Sequence, residues 1–511
     1  MNVFLGIDAG TTSIKAALFD VTGRCLGIGR EEYSLQTPAE DRVELDAEVY
    51  WRACVRATRT ALEQAEVQPA EVRGIGVSSQ GETVMPIGRD GAPVGPAIVW
   101  LDNRAAEEAE FFASQLDLDW LYRITGLTEI VPTWTACKLL WLKRHQPEQF
   151  AAAHKFLLVT DWIAFRLTGQ YVTEGAVSSS TMLYDIVADG WRDELLELAG
   201  VSRAQLAEPR QAGKVIGRLT AAAAEALGLL PGTPVTLCGM DQCAGSVGAG
   251  NIAPGMVSET TGAALAVQAS IRQFNLERRF NLPVLRHSAP GLYLICPFAP
   301  TGGMTLKWLR DVFGEVELAQ AQASGQDAYD LLCASAGQVE PGCGGLLMLP
   351  HLTGASSPEY NPYARGVFYG FTLYHQKAHF IRAVLEAVAY LLRRNLELMS
   401  SAGLEFYEVR SMGGGARSSL WRQIKADVCN LPVVSMMESE TALLGNAMLA
   451  AVAVGDFADL QQAAASMVRL AERLQPIPAN VETYEQAYQR YCRLNEILDP
   501  VFRAHFARQE A

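Results

Sequence analysis

Two aspartates, each at the end of a predicted strand and followed by small residues, are the features of this sequence that most suggest chemistry. Asp8 lies in LGIDAGTTSIKAALFD, where a Gly-Thr-Thr-Ser turn separates two apolar runs. Asp241 lies in PVTLCGMDQCAGSVGAG, again after an apolar run and before Gly and Ala residues. Such small residues let backbone N–H groups and hydroxyls approach a ligand closely, although an ordinary hairpin turn or a helix cap accepts the same composition.

The pattern around Asp8 has an echo in the second half of the chain, where residues 256–267 read MVSETTGAALAV. A second repeated pattern, which is the second echo, lies further along each half. Glu-Val-Arg begins a short run that ends in small residues at 71–80, and it does so again at 408–417. Amphipathic helical patterns such as IRAVLEAVAYLLRRNLELM, residues 381–399, alternate with the strands. Two echoes in one order predict a duplicated α/β unit, with domains at residues 1–245 and 246–511.

Composition excludes several kinds of partner. The formal net charge is -14 and no dense Lys/Arg run is present, which argues against nucleic acid and anionic membranes. The ten cysteines form no Cys-x-x-Cys pair and are expected to be reduced thiols. No secretory signal is visible, and Gly and Pro interrupt the longer uncharged stretches. We therefore expect a cytoplasmic protein without membrane spans.

The two turns are expected to face one cleft between the domains. Turns of this kind hold phosphate oxygens without a large positive charge. A carboxylate at Asp8 would repel phosphate unless a divalent cation lay between them, and Mg²⁺ favours carboxylates together with phosphate oxygens. The residues thus predict a phosphate site in which Asp8 organises Mg²⁺.

The order of these motifs resembles the FGGY family of carbohydrate kinases, within the actin-like, ribonuclease-H-like ATPase superfamily. The resemblance runs across nearly the whole chain and includes AIVWLDNRA, GGMTLKWLRD, PHLTGASSPEYNPYARGVFYGFTL and GGGARSSLWRQIKADV. It implies an α/β fold of two ribonuclease-H-like domains, and transfer of the γ-phosphate of ATP to a hydroxyl of an open-chain sugar or polyol. Residues 350–373 look most like xylulose kinases, whose close relatives are commonly homodimers.

The resemblance also assigns roles. It makes Asp241 the general base and Asp8 the metal-organising acid; the alternative for Asp241 is a helix-capping aspartate. Lys307 either reaches phosphate or covers a helix surface. The remaining positions that match nucleotide-binding motifs are Thr11, Thr12 and Ser13 in the first phosphate loop, Thr261 and Gly262 in the second, Gly303 beside them, and Gly414, Gly415 and Ser418 at the adenosine.

Sugar recognition is assigned to two further segments, SSQGETVMPI and AIVWLDNR. Buried polar groups and an aromatic wall are needed there. The candidates are Gly81, Glu82, Asp102, Asp241 and Gln242, with Trp100 or Trp134 as the wall, although a tryptophan in such a position is more often part of the core.

The sugar segment departs from two familiar patterns. Xylulose kinases carry Gly-Gln-Met-His-Gly where this chain has Ser-Gln-Gly-Glu-Thr, and Gly81 replaces the arginine of the glycerol-kinase pattern. We expect a ketose kinase with D-xylulose as first candidate, and a glycerol- or erythritol-type polyol as the alternative substrate. A sugar-responsive binding protein without phosphotransfer, or a chaperone-like ATPase, is the alternative from another class.

Overall fold

The computed structural model describes residues 2–506, and within them the chain forms 25 strands and 18 α-helices. The strands are β1 (Val3–Ala9), β2 (Ser13–Asp20), β3 (Cys25–Glu32), β4 (Gln36–Ala39), β5 (Arg42–Leu45), β6 (Val72–Ser79), β7 (Val84–Ile87), β8 (Ala97–Ile98), β9 (Lys155–Leu158), β10 (Val172–Glu174), β11 (Tyr184–Asp185), β12 (Gly190–Trp191), β13 (Glu208–Arg210), β14 (Val215–Arg218), β15 (Pro234–Met240), β16 (Met256–Thr261), β17 (Leu265–Ile271), β18 (Val284–Arg286), β19 (Tyr293–Ile295), β20 (Phe298–Ala299), β21 (Leu347–Leu349), β22 (Val367–Tyr369), β23 (Glu408–Met412), β24 (Val433–Met436) and β25 (Leu470–Leu474).

The helices cover the faces of the sheets and connect their strands. They are α1 (Ala47–Ala65), α2 (Ala106–Gln115), α3 (Leu118–Thr125), α4 (Thr135–His145), α5 (Pro147–Ala152), α6 (Val159–Thr168), α7 (Gly175–Ser178), α8 (Asp193–Ala199), α9 (Ala221–Leu227), α10 (Asp241–Gly248), α11 (Gly303–Phe313), α12 (Glu315–Ser324), α13 (Ala328–Ala336), α14 (Lys377–Ser401), α15 (Ser419–Cys429), α16 (Thr441–Ala453), α17 (Leu460–Met467) and α18 (Pro478–Phe506). None of the helices between residues 2 and 506 is long and apolar enough to cross a bilayer.

Two large sheets repeat one topology. The first has the order β14-β15-β6-β1-β2-β3, and the second contains the run β25-β24-β23-β16-β17-β19. In each, a central strand pairs antiparallel with the next strand of the chain and parallel with a later one, so β1 joins β2 and β6 as β16 joins β17 and β23. The two sequence echoes fall on these equivalent strands, which confirms the predicted duplication.

Both faces of the first sheet are covered, which explains why β1 is almost continuously apolar and buried. Helix α1 covers one face. Helix α16, from the second half of the chain, packs against β1 and β6 on the other. A Cβ on Gly6 would lie 2.2 Å from the carbonyl oxygen of Leu443 in α16, so only glycine permits this contact. The side chain of Asn446 also donates to the Ile7 carbonyl at 2.8 Å.

A smaller five-stranded sheet has the order β4-β5-β8-β7-β9, and all its strands come from the first half of the chain. Strand β7 follows directly after the Gln80–Thr83 segment, and β8 precedes Trp100. Helix α4 packs nearby, with Thr135 and Lys138 both donating to the carbonyl of Glu82. This sheet and α4 therefore position the segments to which sugar recognition was assigned.

Candidate active site

A cavity of about 390 Å³ lies between the two halves of the chain and is called the cleft cavity here. Its wall from the first half includes Thr11, Gly81, Glu82, Trp100, Trp134, Asp241 and Gln242. Its wall from the second half includes Ala266, Pro283, Leu285, Cys296, Phe298 and Tyr360. The structure thus brings residues from four separate motifs of the first half of the chain to one space.

Asp241 is the first residue of α10 and follows β15 directly. Its Oδ1 accepts a hydrogen bond from the backbone N–H of Gln242 at 2.7 Å. Burial raises the pKa of Asp241 to about 7, and the neighbouring carboxylates of Asp8 and Glu82 add to that rise. A carboxyl group with such a pKa can accept a proton at neutral pH.

Asp8 is the penultimate residue of β1 and is not part of the cavity wall, but it is close enough to Asp241 for its charge to raise the pKa of that residue. It is held by a short chain of hydrogen bonds. Ser78 donates to Asp8 Oδ1 at 2.7 Å, and Asn446 of α16 donates to Ser78 Oγ at 2.7 Å. Burial raises the pKa of Asp8, while the hydrogen bond from Ser78 and the charge of Lys15 oppose that rise. The position of Asp8 is therefore fixed from both halves of the chain.

Glu82 adopts a left-handed backbone conformation, with φ 56°. Its carbonyl oxygen accepts from Thr135 Oγ1 at 3.1 Å and from Lys138 Nζ at 3.3 Å. Burial raises the pKa of Glu82, and the charge of Lys138 opposes that rise. Non-glycine residues with positive φ are uncommon and persist where their surroundings hold them, so α4 holds Glu82 in place at the cavity.

Lys138 was not predicted as part of the site. Its side chain is completely buried in α4, and burial lowers its pKa to about 7. It also donates to the carbonyl of Val99 at 2.9 Å. One signal was available in the sequence, since TACKLLWL places a lysine on an otherwise apolar stretch of helix.

Both candidate tryptophans line the cleft cavity, so neither is merely a core residue. The indole N–H of Trp100 donates to Thr11 Oγ1 at 2.9 Å, and that of Trp134 donates to the Glu129 carbonyl at 3.0 Å. Gly81 is tightly enclosed, because a Cβ there would lie 2.6 Å from Ser180 Oγ. The two indoles are thus anchored at their polar edges beside a wall that has no room for a larger residue.

Asp102 is not brought to the cavity. Its side chain has 0% exposure, and its Oδ2 lies 2.7 Å from Arg104 Nη2 in an ion pair. The same oxygen accepts from the Val43 N–H at 2.6 Å, and Oδ1 accepts from Arg104 as well. The predicted sugar contact of Asp102 is therefore corrected to a structural role, in which its carboxylate joins the loop after β8 to β5.

A second cavity, of about 350 Å³, lies wholly within the second half and is called the hairpin cavity because the β16–β17 turn forms one wall. Seven predicted nucleotide positions line it: Thr261, Gly262, Gly303, Lys307, Gly414, Gly415 and Ser418. The sequence did not indicate Asp327, Tyr329, Cys333 or Trp421, which also line it. Three of these belong to α13 or its N-cap, a segment outside every quoted motif.

Close contacts leave no room for a side chain at two glycines of the hairpin cavity, Gly303 and Gly415. Gly303, at the start of α11, donates its N–H to the Gly262 carbonyl at 2.8 Å, and a Cβ on it would lie 2.4 Å from that oxygen. A Cβ on Gly415 would lie 2.7 Å from Thr261 Cβ. The hairpin turn, α11 and the Gly-Gly-Gly loop consequently form one tightly joined wall.

Three of the predicted phosphate neighbours are placed differently from the rest. Lys307 is 59% exposed and pairs with Asp311 at 2.5 Å, so it covers the surface of α11 while also reaching the rim of the cavity. Thr12 is exposed, and Ser13 is buried at the start of β2. Of the three residues predicted in this first loop, Thr11 lines the cleft cavity, and Thr12 and Ser13 line neither of the two cavities.

The β16–β17 hairpin connects the two cavities. Ala263, in its turn, lines the hairpin cavity, and Ala266, in β17, lines the cleft cavity. Three residues span at most about 11 Å even when fully extended. A group bound at the turn therefore lies within a short distance of the cavity that contains Asp241.

A two-domain α/β fold with two adjoining cavities, one walled by glycine turns and one by carboxylates and tryptophans, has counterparts among known proteins. The N-terminal domain of the FGGY family of carbohydrate kinases matches residues 3–248, and its C-terminal domain matches residues 277–454. The chain therefore belongs to the FGGY family of carbohydrate kinases.

Individual relatives act on different sugars. The chain is 29% identical to a gluconokinase of Bacillus subtilis, over 97% of this chain and 96% of that protein. It is 28% identical to an autoinducer-2 kinase of Klebsiella pneumoniae, over 96% of this chain and 93% of that protein. The crystal structure of a xylulose kinase from Rhodospirillum rubrum superposes with a TM-score of 0.87 at 27% identity. The superposition covers 98% of this chain and 100% of that one. The predicted two-domain kinase fold is confirmed, and the sugar is left open.

Proposed function

We propose that this protein transfers the γ-phosphoryl group of ATP to a hydroxyl of a neutral open-chain sugar, with D-xylulose as first candidate. In this proposal residues 1–245 supply most sugar contacts and residues 246–511 bind the nucleotide. The observation that carries it is the placement of Asp241, whose pKa is raised to about 7 at the wall of the cleft cavity. The phosphate turn lies on the same hairpin that borders this cavity.

The chemistry assigned to Asp241 is proton acceptance. The sugar hydroxyl oxygen attacks the γ-phosphorus, the bond between that phosphorus and the β-phosphate oxygen breaks, and the hydroxyl proton passes to the Asp241 carboxylate. The products are the sugar phosphate and ADP. Glu82 and Gln242 offer hydrogen bonds that orient the sugar, while the indoles of Trp100 and Trp134 pack against it and exclude water, which otherwise competes as phosphoryl acceptor.

Mg²⁺ fits the donors that are present. Among residues 2–506 no three His, Cys, Asp or Glu side chains converge on one point. Mg²⁺ is commonly held by one or two carboxylates together with substrate phosphates and water, so Asp8, three residues before Thr11 in the first phosphate loop, is an adequate protein ligand. When bound with ATP, the ion neutralises charge on the phosphates.

The cleft cavity favours a neutral sugar over a sugar acid. Three carboxyl groups line it, from Glu82, Glu129 and Asp241, whereas no Lys, Arg or His side chain is among its lining residues within the described chain. A carboxylate on the substrate would meet like charges and find no cationic partner. This argues for a ketose or polyol and against gluconate.

The test is ADP release from Mg-ATP with D-xylulose, glycerol, erythritol, autoinducer-2 and gluconate. We expect the best neutral substrate to exceed gluconate at least about 100-fold in kcat/KM, since an unpaired buried charge costs several kcal/mol. Preference for gluconate would contradict the neutral cavity. Sugar-independent ADP release would mean that the sugar site is wrongly assigned, whereas sugar binding without any ADP release would favour the binding-protein alternative.

The pH profile provides a second prediction. The Asp241 carboxyl must be ionised to accept a proton, so kcat/KM for the sugar is expected to fall about tenfold per pH unit below its pKa of about 7. Because the charge of Glu82 contributes to that raised pKa, Glu82→Gln should move the acidic limb to lower pH. The profile is measured with saturating Mg-ATP at limiting sugar, and an acidic limb that does not move in Glu82→Gln would count against the assignment.

A further inference from the structure

A buried ion pair lies beneath the hairpin cavity. Lys425 Nζ, on α15, is 2.6 Å from Glu259 Oε1, on β16, and both side chains have 0% exposure. The transfer described above uses neither residue. Taking two charges out of water is costly, and such pairs often contribute little net stability. Their contacts therefore call for a functional explanation.

The pair holds the hydroxyl of Thr261. Thr261 Oγ1 donates to Glu259 Oε2 at 2.7 Å and accepts from Lys425 Nζ at 2.8 Å. Its proton and a lone pair are both engaged, so the side chain is held in one orientation. Thr261 directly precedes Gly262 in the wall of the hairpin cavity. The buried ion pair therefore fixes the turn through the Thr261 hydroxyl, and the backbone of the turn is free to bind the phosphates.

The same lysine also contacts the opposite wall. Its ammonium lies 5.2 Å from the ring centre of Trp421, which lines the hairpin cavity. Gly415 lies against Thr261, because a Cβ there would be 2.7 Å from Thr261 Cβ. One charge pair thus joins the phosphate turn to the loop and helix that form the other side of the cavity.

The duplicated topology shows what this pair corresponds to. Asp8 lies opposite Ser78 in the parallel β1–β6 register, and Glu259 lies opposite Ser411 in the parallel β16–β23 register. In both cases the serine hydroxyl donates to the acid. Glu259 is therefore the counterpart of Asp8 in the second unit, and the Lys425 ammonium supplies the positive charge there from within the protein.

We propose that Glu259 and Lys425 are positioning residues for the nucleotide, which act by fixing Thr261 and the hairpin turn. This inference rests on the proposed use of ATP. It predicts that neutralising the pair weakens nucleotide binding while leaving the sugar site unchanged, even in a variant whose fold is stable.

The decisive variant is Glu259→Gln/Lys425→Met, in which no buried charge is left unpaired. We expect its KM for ATP and its Kd for ADP to rise about tenfold, and its KM for the sugar to stay within twofold. Thr261→Val, which removes only the hydroxyl, should produce the same rise, and combining all three substitutions should add little. Calorimetry gives Kd, steady-state kinetics give the two KM values, and thermal unfolding gives Tm.

A matched control is the buried pair of Arg382 and Glu386 in α14, at 2.9 Å with 6% and 1% exposure. Arg382→Met/Glu386→Gln should change Tm by about as much as Glu259→Gln/Lys425→Met does, without changing the KM for ATP. If Glu259→Gln/Lys425→Met and Thr261→Val both bound ADP with wild-type affinity, the inference would be overturned while the proposed function would stand. A wild-type protein that binds no ADP would overturn both it and the proposed function.

Discussion

Asp241→Asn is expected to lower kcat about 10³-fold while leaving the Kd for ADP within twofold. Proton transfer by a positioned base typically contributes 10²- to 10⁴-fold, and an amide cannot accept the hydroxyl proton. The substitution hardly changes size, and the hydrogen bond from the Gln242 N–H can be kept by the amide oxygen. The nucleotide cavity, lined by residues 261–421, is not touched.

Asp161 offers a matched control for this substitution. Burial raises the pKa of its carboxyl to about 7 as well, yet it lies at the start of α6 and lines neither cavity. Asp161→Asn should therefore retain kcat. Turnover is followed as ADP release and nucleotide affinity by calorimetry. Full activity in Asp241→Asn would remove Asp241 from the mechanism.

Asp241→Asn should also raise the thermal stability of the protein. The pKa of Asp241 is about 7 in the folded protein against an ordinary value of 3.8, so the folded state binds the proton more tightly than the unfolded chain does. Stability contributed by this group is present at low pH and is lost as pH rises from about 4 to 7. Above pH 7 an amide avoids the buried charge, so the Tm of Asp241→Asn is expected to exceed the wild-type Tm by several degrees. Such a gain in stability at the cost of activity is common for substitutions at active sites. A lower Tm would contradict this.

Lys138→Met is expected to raise the KM for the sugar at least about tenfold and to leave the KM for ATP unchanged. The lysine donates to the Glu82 carbonyl at 3.3 Å, and its charge opposes the rise in the pKa of Glu82. Without it, the left-handed conformation of Glu82 loses one of its two supports, and the carboxyl is more readily protonated. The orientation of Glu82 at the sugar is then no longer fixed.

Lys143→Met is the control for that variant, because Lys143 lies on the same helix and contacts the exposed Gly200 carbonyl at 3.2 Å. It should leave both KM values unchanged. Equal rises in the KM for sugar and for ATP in Lys138→Met would indicate general loss of structure, and unchanged kinetics would show that Thr135 alone suffices to hold Glu82.

Glycine at a point of close contact is a feature that a short sequence motif records directly. Gly303 lies against the Gly262 carbonyl and Gly415 lies against Thr261, so neither position has room for a Cβ. Asp102 shows the limit of such reasoning. It lies two residues after Trp100, which lines the cavity, yet its carboxylate turns to Arg104 and Val43. Sequence proximity does not determine which way a side chain points.

Roles that depend on long-range packing were not predicted. Lys138 reaches a carbonyl 56 residues away, and Lys425 reaches Glu259 across 166 residues. The echo of Asp8 in Glu259 was visible as a repeated pattern, but the cation beside it is contributed by a helix whose docking no local motif specifies. The same holds for α13, which completes the hairpin cavity without belonging to a motif.

The docking of α16 on the first sheet has a consequence for synthesis of the chain. Phe4, Ala17 and Phe19 share an apolar cluster with Leu443, Leu444 and Met448, so one face of the N-terminal sheet is completed by residues that are made roughly 200 positions later than the end of the first domain. At about 5–20 residues per second, the ribosome needs roughly 10–40 s to supply them. We expect the nascent N-terminal half to expose this apolar face during that interval and to be open to binding by chaperones until α16 emerges.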